Sequence, residues 1–270
     1  QRRPELIYLR ITGYGLDGPL GGLPGYDAVL QAFGGVMSIN GYPDREPLRV
    51  GVPIVDIVTA NLSVQAVLLA LLERRESGRG QLIDMTLLDG ALSMLHPHSA
   101  SWSADGRSPK RTGSTHPTLV PYQVFQVDTG DIFIGVTTLK NFRTLMDVLG
   151  RPEFGVEERF TTPAGRYEHR EEIVAVITEC LTGQDLGALS VALNARGVPC
   201  GPVNDVGSAL SHPQVLHRGL FVDLPGYRGV GSPIAMSRSS AVTPRPPRHA
   251  GADNAEILHA LGVDPATLLG

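Results

Sequence analysis

Asp56 is the residue whose setting most suggests chemistry. It stands in Val50-Gly51-Val52-Pro53-Ile54-Val55-Asp56-Ile57-Val58, at the start of the most apolar helical stretch of the chain. A carboxylate with such neighbours either caps the helix or reacts. Asp is a favoured N-cap residue, and its charge suits the positive end of the helix dipole. The same terminus favours the ionised carboxylate that nucleophilic attack requires, so the two roles are compatible. Other candidates carry less. Gly13-x-Gly15-x-x-Gly18 matches a dinucleotide loop and follows an expected strand. Pro19 and further glycines come next instead of a helix, and no acidic residue follows at the required distance, so this is not read as a nucleotide fingerprint. Among 8 histidines, His96 and His98 are two apart. Two histidines alone are a weak metal signal, and they read as solvated loop residues. No GxSxG elbow, HExxH, CxxC pair or Walker loop occurs.

The elements that must position Asp56 follow from periodicity. Leu6 to Ile11 alternates like a strand. Gly13 to Pro24 is a loop by its turn chemistry. Apolar positions from Tyr26 to Met37 follow helical spacing. Ile39 to Val52 is a second loop. Val55 to Arg75 is apolar nearly all round, as in a helix buried in a core or at a subunit interface. Gln81 to Met85 reads as a short strand and Leu87 to Leu95 as a helix. Two alternating runs, Tyr122 to Val127 and Asp131 to Val136, are joined by Asp128-Thr129-Gly130, a hairpin signal. Helices are expected at Asn141 to Leu149, His169 to Leu181, Asp185 to Arg196 and Asn254 to Leu261, the last fed by a Pro/Arg segment from Pro244 to Gly251. Gly197 to Pro202 reads as a break.

Strands alternating with longer helices predict an α/β or α+β architecture, and α/β is the expected fold class. The expected organisation is a large domain over 1–95, a Ser/Pro/Arg-rich linker over 96–115, and a smaller α+β domain over 116–212. A second linker over 213–240 and a C-terminal return to the large domain over 241–270 complete it.

Composition limits the partners. Of 270 residues, 42% are hydrophobic and 19% charged, which excludes global disorder. The net charge of −4 argues against a nucleic-acid binder. The apolar run from Leu62 to Leu72 is too short to span a bilayer. Cys180 and Cys200 form no disulfide framework, which points to a reducing compartment, and no signal peptide is evident. A cytoplasmic protein without a membrane partner is expected. The chain opens Gln1-Arg2-Arg3-Pro4 without Met and runs almost at once into a strand, which reads as a fragment.

Several motifs in order carry a resemblance. They are Ile11-Thr12-Gly13-Tyr14-Gly15-x-x-Gly18-Pro19, Gly25-Tyr26-Asp27-x-x-x-Gln31-Ala32-x-Gly34-Gly35-x-Met37-Ser38, and Gly51-Val52-Pro53-x-x-Asp56. Gly78-Arg79-Gly80-Gln81-x-Ile83-Asp84-Met85-x-Leu87-Leu88-Asp89, Pro121-Tyr122-Gln123-Val124-Phe125, Gly197-Val198-Pro199-Cys200-Gly201-Pro202-Val203 and Gly231-Ser232-Pro233-Ile234 extend them nearly end to end. Together they resemble the class III CoA-transferases, the CaiB/BaiF family, which shares a superfamily with formyl-CoA transferase and the α-methylacyl-CoA racemases. The chain departs from the family pattern at Gly251-Ala252-Asp253, where a histidine often follows Gly-Glu.

The resemblance implies a Rossmann-like large domain, partial here, beside a smaller α+β domain, in an interlocked homodimer. It implies transfer of coenzyme A from an acyl-CoA donor to a free carboxylic acid, with no permanently bound cofactor. Asp56 matches the family nucleophile, which passes through an aspartyl anhydride and an aspartyl-CoA thioester. Tyr26 matches a tyrosine that hydrogen-bonds acyl or anhydride oxygens. Gly113 lies where some members place a glycine flap over the intermediate, a substrate-binding role. The resemblance also assigns most adenine and phosphate contacts of CoA to a portion upstream of these motifs. In the racemases a histidine stands at the Tyr26 position. Racemisation needs a second acid/base partner opposite the aspartate, and tyrosine is a poor replacement for it, so transfer is favoured. The alternatives are a racemase-like enzyme using Asp56 as acid/base, and an inactive truncated remnant that only dimerises.

Overall fold

The computed structural model describes residues 3–239 and 246–264. Parts of the expected Pro/Arg segment and C-terminal return, residues 240–245 and 265–270, lie outside the described residues. The chain divides into two units, Gln1–Pro202 and Val203–Gly270.

The first unit opens with β1 (Tyr8–Thr12), which pairs in parallel with β2 (Leu82–Thr86) in the register Tyr8↔Leu82 to Thr12↔Thr86. Parallel neighbours need a crossover, and three helices supply it. These are α1 (Asp27–Phe33), α2 (Val36–Ile39) and α3 (Ile54–Ser77). The single helix expected over 26–37 is broken, because Gly34-Gly35 intervenes and Gly35 takes a left-handed φ of 85°. Such a φ is one that only glycine adopts freely. Helix α3 runs to a left-handed Gly78, whose N–H closes on the Arg74 carbonyl. Directly after β2, α4 (Leu87–Ser93) begins with a capping box: Asp89 N–H donates to Thr86 Oγ1, and the Asp89 carboxylate accepts the Thr86 N–H.

Burial of α3 within one chain is partial, and the reading of its apolar run as too short for a bilayer changes. Of its apolar side chains only Val55 and Ala70 are buried, and they share that face with Thr59 and Ser63. Ile57, Val64, Leu68, Leu69 and Leu72 are exposed within this chain. By length and composition alone the 24-residue helix is also apolar enough to cross a bilayer, because the helix extends well beyond the Leu62–Leu72 run.

A helix, α5 (His98–Asp105), occupies part of the expected first linker. Beyond it lies a second core. Strands β3 (Tyr122–Val127) and β4 (Gly130–Gly135) form the expected hairpin, and β5 (Cys200–Pro202), expected as a break, joins the free edge of β4. Helices α6 (Leu139–Val148), α7 (Pro152–Gly155), α8 (Pro163–Glu168), α9 (Arg170–Leu181) and α10 (Leu186–Ala195) surround it. Phe125, Ile132, Ile134, Phe142, Leu145, Ile173 and Ile177 fill the interior. Arg166 is buried with them, donating to the Val120 and Phe160 carbonyls beneath the Phe142 ring. Burial pushes its guanidinium below the usual arginine range. Cys180 and Cys200 are free.

The second unit holds α11 (Val206–Ser211), α12 (Pro213–His217), the hairpin β6 (Phe221–Leu224) and β7 (Tyr227–Val230), and α13 (Asn254–Ala260). Pro225-Gly226 turns the hairpin, with Gly226 at φ 80°, so ordered elements occupy part of the expected second linker. Asp253, where the family motif departs, pairs with Arg248.

Candidate active site

The loop after β1 is folded tightly enough to fix the start of α1. A Cβ on Gly13 would lie 2.7 Å from the Gly25 nitrogen, so the two backbones meet where only glycine fits. The Gly13 carbonyl accepts the Leu88 N–H at 3.1 Å, and Tyr14 sits edge-on to Phe33 at 5.3 Å. This closure delivers Tyr26 and Asp27 to the head of the helix, where Tyr26 is the N-cap residue. Tyr26 is 74% exposed and free to meet a ligand.

Asp56 occupies the third position of α3, and the N-cap residue is Pro53. The cap comes from elsewhere. Asp27 Oδ2 accepts the Val55 N–H at 2.8 Å and the Asp56 N–H at 3.3 Å. The other donors of this turn are accounted for: Pro53 has none, Ile54 donates to the Val52 carbonyl, and Ile57 to the Pro53 carbonyl. Asp27 is itself held by Gln31, fully buried one turn on, whose Nε2 donates to Asp27 Oδ1 at 2.6 Å. Gln31 Oε1 accepts the Val50 N–H at 2.8 Å, so one amide ties α1 to the segment leading into α3. The Asp56 side chain is exposed, and among the described residues its carboxylate accepts no hydrogen bond and joins no ion pair. It is a carboxylate on a fixed backbone, exposed and without a partner among the described residues.

Tyr26 thus immediately precedes the residue whose side chain holds the backbone of Asp56. Gly113 packs on the segment between α2 and α3, where a Cβ on it would meet the Tyr42 ring. Its N–H donates to the Gly41 carbonyl at 2.9 Å. Arg111 fastens the same segment to the carbonyls of Tyr42, Pro43 and Arg45. Among the described residues no hydrogen bond joins Gly113 to Tyr26 or Asp56. Sequence reasoning passed over Asp27 and Gln31 as separate residues. Their signal was the Asp27-x-x-x-Gln31 spacing, which stacks two hydrogen-bonding side chains on one helix face. His96 and His98 join no cluster, and among the described residues no group of three or more His, Cys, Asp or Glu side chains could hold a metal.

A family model for CoA-transferase family III matches residues 1–254. The chain belongs to this family. A succinate–glutarate CoA-transferase from Agrobacterium fabrum is 36% identical over 96% of the chain and 66% of its own length. The human succinyl-CoA:glutarate CoA-transferase is 31% identical over 94% of the chain and 59% of its own length. The chain thus spans about two thirds or less of these family III relatives. The crystal structure of a CaiB/BaiF family protein from Brucella suis superposes with a TM-score of 0.85 at 37% identity, covering 96% of this chain and 68% of that one. The mixed α/β architecture is shared with this CaiB/BaiF family neighbour.

Proposed function

We propose that the protein transfers coenzyme A between carboxylic acids, with Asp56 as the nucleophile. The observation that carries this is an exposed, unpaired carboxylate on a helix turn whose backbone donors are all satisfied by other residues. A family III CoA-transferase needs such a group.

Asp56 Oδ attacks the carbonyl carbon of the donor thioester, the C–S bond breaks, and CoA leaves as thiolate from a mixed anhydride. The thiolate then attacks Cγ of Asp56, the donor leaves as carboxylate, and an aspartyl-CoA thioester remains. The acceptor carboxylate attacks that Cγ, expelling thiolate and forming a second anhydride. Thiolate attack on the acceptor carbonyl yields the new acyl-CoA and returns the Asp56 carboxylate. The Tyr26 hydroxyl stabilises developing negative charge on the acyl oxygens. Gly113 serves as a second substrate contact, reached once its segment closes over the intermediate.

The substrates are short dicarboxylic acids and their CoA thioesters, a reading supported by the names of the succinate–glutarate relatives. Coenzyme A serves as substrate, with no permanent cofactor. The parallel β1–β2 pair with its helical crossover supports a Rossmann-like large domain. The uncovered apolar side chains of α3 support burial of that helix against a second copy in a homodimer. The reading places this homodimer in the cytoplasm, with no membrane partner. Tyr26 stands where racemisation would call for histidine, which favours transfer.

The test is intact-mass analysis of the full-length protein mixed with succinyl-CoA and quenched. A CoA adduct on Asp56 that clears with glutarate to give glutaryl-CoA, and is lost in Asp56→Ala, is expected. No adduct, together with exchange of the α-proton of an acyl-CoA in heavy water, would overturn transfer in favour of racemisation.

A further inference from the structure

Two aspartates of this chain occupy the same helical position with opposite results. Asp89 is the third residue of α4, and its carboxylate reaches back to the Thr86 N–H at 3.2 Å and to Thr86 Oγ1 at 2.8 Å. Asp56 is the third residue of α3 and makes neither bond. The difference lies in three other residues. Pro53, at the N-cap, has no N–H to offer and no hydroxyl. The two N–H groups that remain, those of Val55 and Asp56, are taken by Asp27. Asp27 is prevented from turning away by Gln31, whose amide orientation is fixed at both ends: its nitrogen faces a carboxylate and its oxygen faces the Val50 N–H. An unsatisfied helix terminus draws in the nearest acidic side chain, and at α3 that would be Asp56.

We propose that Asp27 and Gln31 are a positioning pair for the nucleophile, occupying the donors of the α3 terminus so that the Asp56 carboxylate stays unbound and aimed outward. The proposal rests on the assignment of Asp56 as nucleophile. Neither residue of the pair touches substrate. Gln31 is fully buried, and both Asp27 oxygens are engaged within the protein. Their effect falls on the chemical step, because a carboxylate folded onto its own helix must break those bonds before it attacks.

The pair can be exchanged without losing a bond. In Asp27→Asn the new amide places nitrogen against the Gln31 nitrogen, two donors face to face. In Gln31→Glu two carboxylates meet at the 2.6 Å contact. In the double variant the amide oxygen introduced at position 27 still faces the Val55 and Asp56 N–H groups, and its amide nitrogen donates to the carboxylate introduced at position 31. That carboxylate still accepts the Val50 N–H. The experiment measures kcat and KM of the full-length protein with succinyl-CoA and glutarate, alongside thermal unfolding, for both single variants and the swap. Each single variant is expected to lose about tenfold or more in kcat with KM within about twofold, and the swap to recover to within about threefold of wild type. Single variants that turn over like wild type would overturn the proposal, as would a folded swap as slow as the singles. If a single variant does not fold, the swap decides by the same criterion. Failure of all three to fold would reduce the pair to a structural cap and also overturn it. Failure of the nucleophile assignment looks different: wild type itself would then form no adduct on Asp56.

Discussion

Asp27 Oδ2 lies 3.3 Å from the backbone nitrogen of Asp56, across 29 residues of sequence. That contact separates two roles that one aspartate could have carried. The cap of α3 belongs to Asp27, on a different helix, and the carboxylate of Asp56 is left unbound. A helix terminus with its donors already satisfied holds a rigid backbone without binding the side chain proposed as nucleophile.

Tyr26 precedes the capping aspartate and is exposed, so its contribution to folding is small. Tyr26→Phe is expected to leave stability within about 0.5 kcal/mol of wild type, as exposed substitutions usually do. Adduct formation on Asp56 is expected to slow by roughly tenfold or more, the effect of losing one donor to a developing oxyanion. Quench-flow mass analysis beside thermal unfolding measures both, and an equal loss in the two would assign Tyr26 to packing.

Gly13 and Gly25 meet backbone to backbone, and this contact places the Tyr26-Asp27 turn. Gly13→Ala forces the Gly25 backbone aside and is expected to cost about 2 kcal/mol, as overpacking does, with a fall in turnover. Gly51 lies nearer Asp56 in sequence, yet a Cβ there meets nothing within 4 Å. Gly51→Ala is therefore expected to stay within about 0.5 kcal/mol of wild type. Denaturant unfolding of the two variants distinguishes close packing from a general intolerance of this loop region.

The α3 helix and the place of Asp56 at its first turn were legible in the sequence because an apolar run beginning beside a carboxylate is a local pattern. What the local pattern could not show was the source of the cap. Asp56 was the only acidic residue near that terminus, whereas Asp27 arrives through the tertiary contact of Gly13 with Gly25. The break between α1 and α2 was written in Gly34-Gly35, but the helical period continued through it and masked the stop. Strand β5 is three residues long and exists by pairing with β4, so Cys200-Gly201-Pro202 alone reads as a turn. The β6–β7 hairpin did carry a local signal in Pro225-Gly226, weakened by the short strands on either side.

Arg10 and Asp84 face each other across β1 and β2 in a two-pronged bond, Nε to Oδ1 at 3.1 Å and Nη2 to Oδ2 at 2.6 Å. The hydrogen bond from Arg10 holds the Asp84 carboxyl below the usual carboxylate range. A group depressed in the folded state binds protons more readily when unfolded, so its stabilisation is full above the ordinary aspartate value of about 4. It is lost as pH falls through the lower, folded value. The thermal midpoint of Asp84→Asn is expected below that of wild type at pH 7, with the gap closing as pH drops below about 4. Raised salt should narrow the gap at neutral pH, because the pair is partly exposed. A gap independent of pH would show that Asp84 acts through shape alone.

Pro53 gives the sharpest separation of stability from activity. Its missing N–H denies Asp56 the bond that Asp89 makes in α4. Pro53→Ser supplies both an N–H and a hydroxyl at the N-cap, with an acidic residue three positions on, which is the composition of a capping box. The Asp56 N–H, now offered the serine oxygen, is drawn away from Asp27, and the Asp56 carboxylate gains a backbone donor to fold onto. Caps of this kind contribute about 1 kcal/mol, so the thermal midpoint is expected to hold or rise despite the loss of a proline. Turnover is expected to fall by about tenfold, with KM little changed, because attack then begins from a bound carboxylate. Thermal unfolding and steady-state kinetics on the one variant read the two effects independently. A variant that loses stability and activity together would mean that Pro53 only shapes the loop, and that an open Asp56 owes nothing to the missing donor.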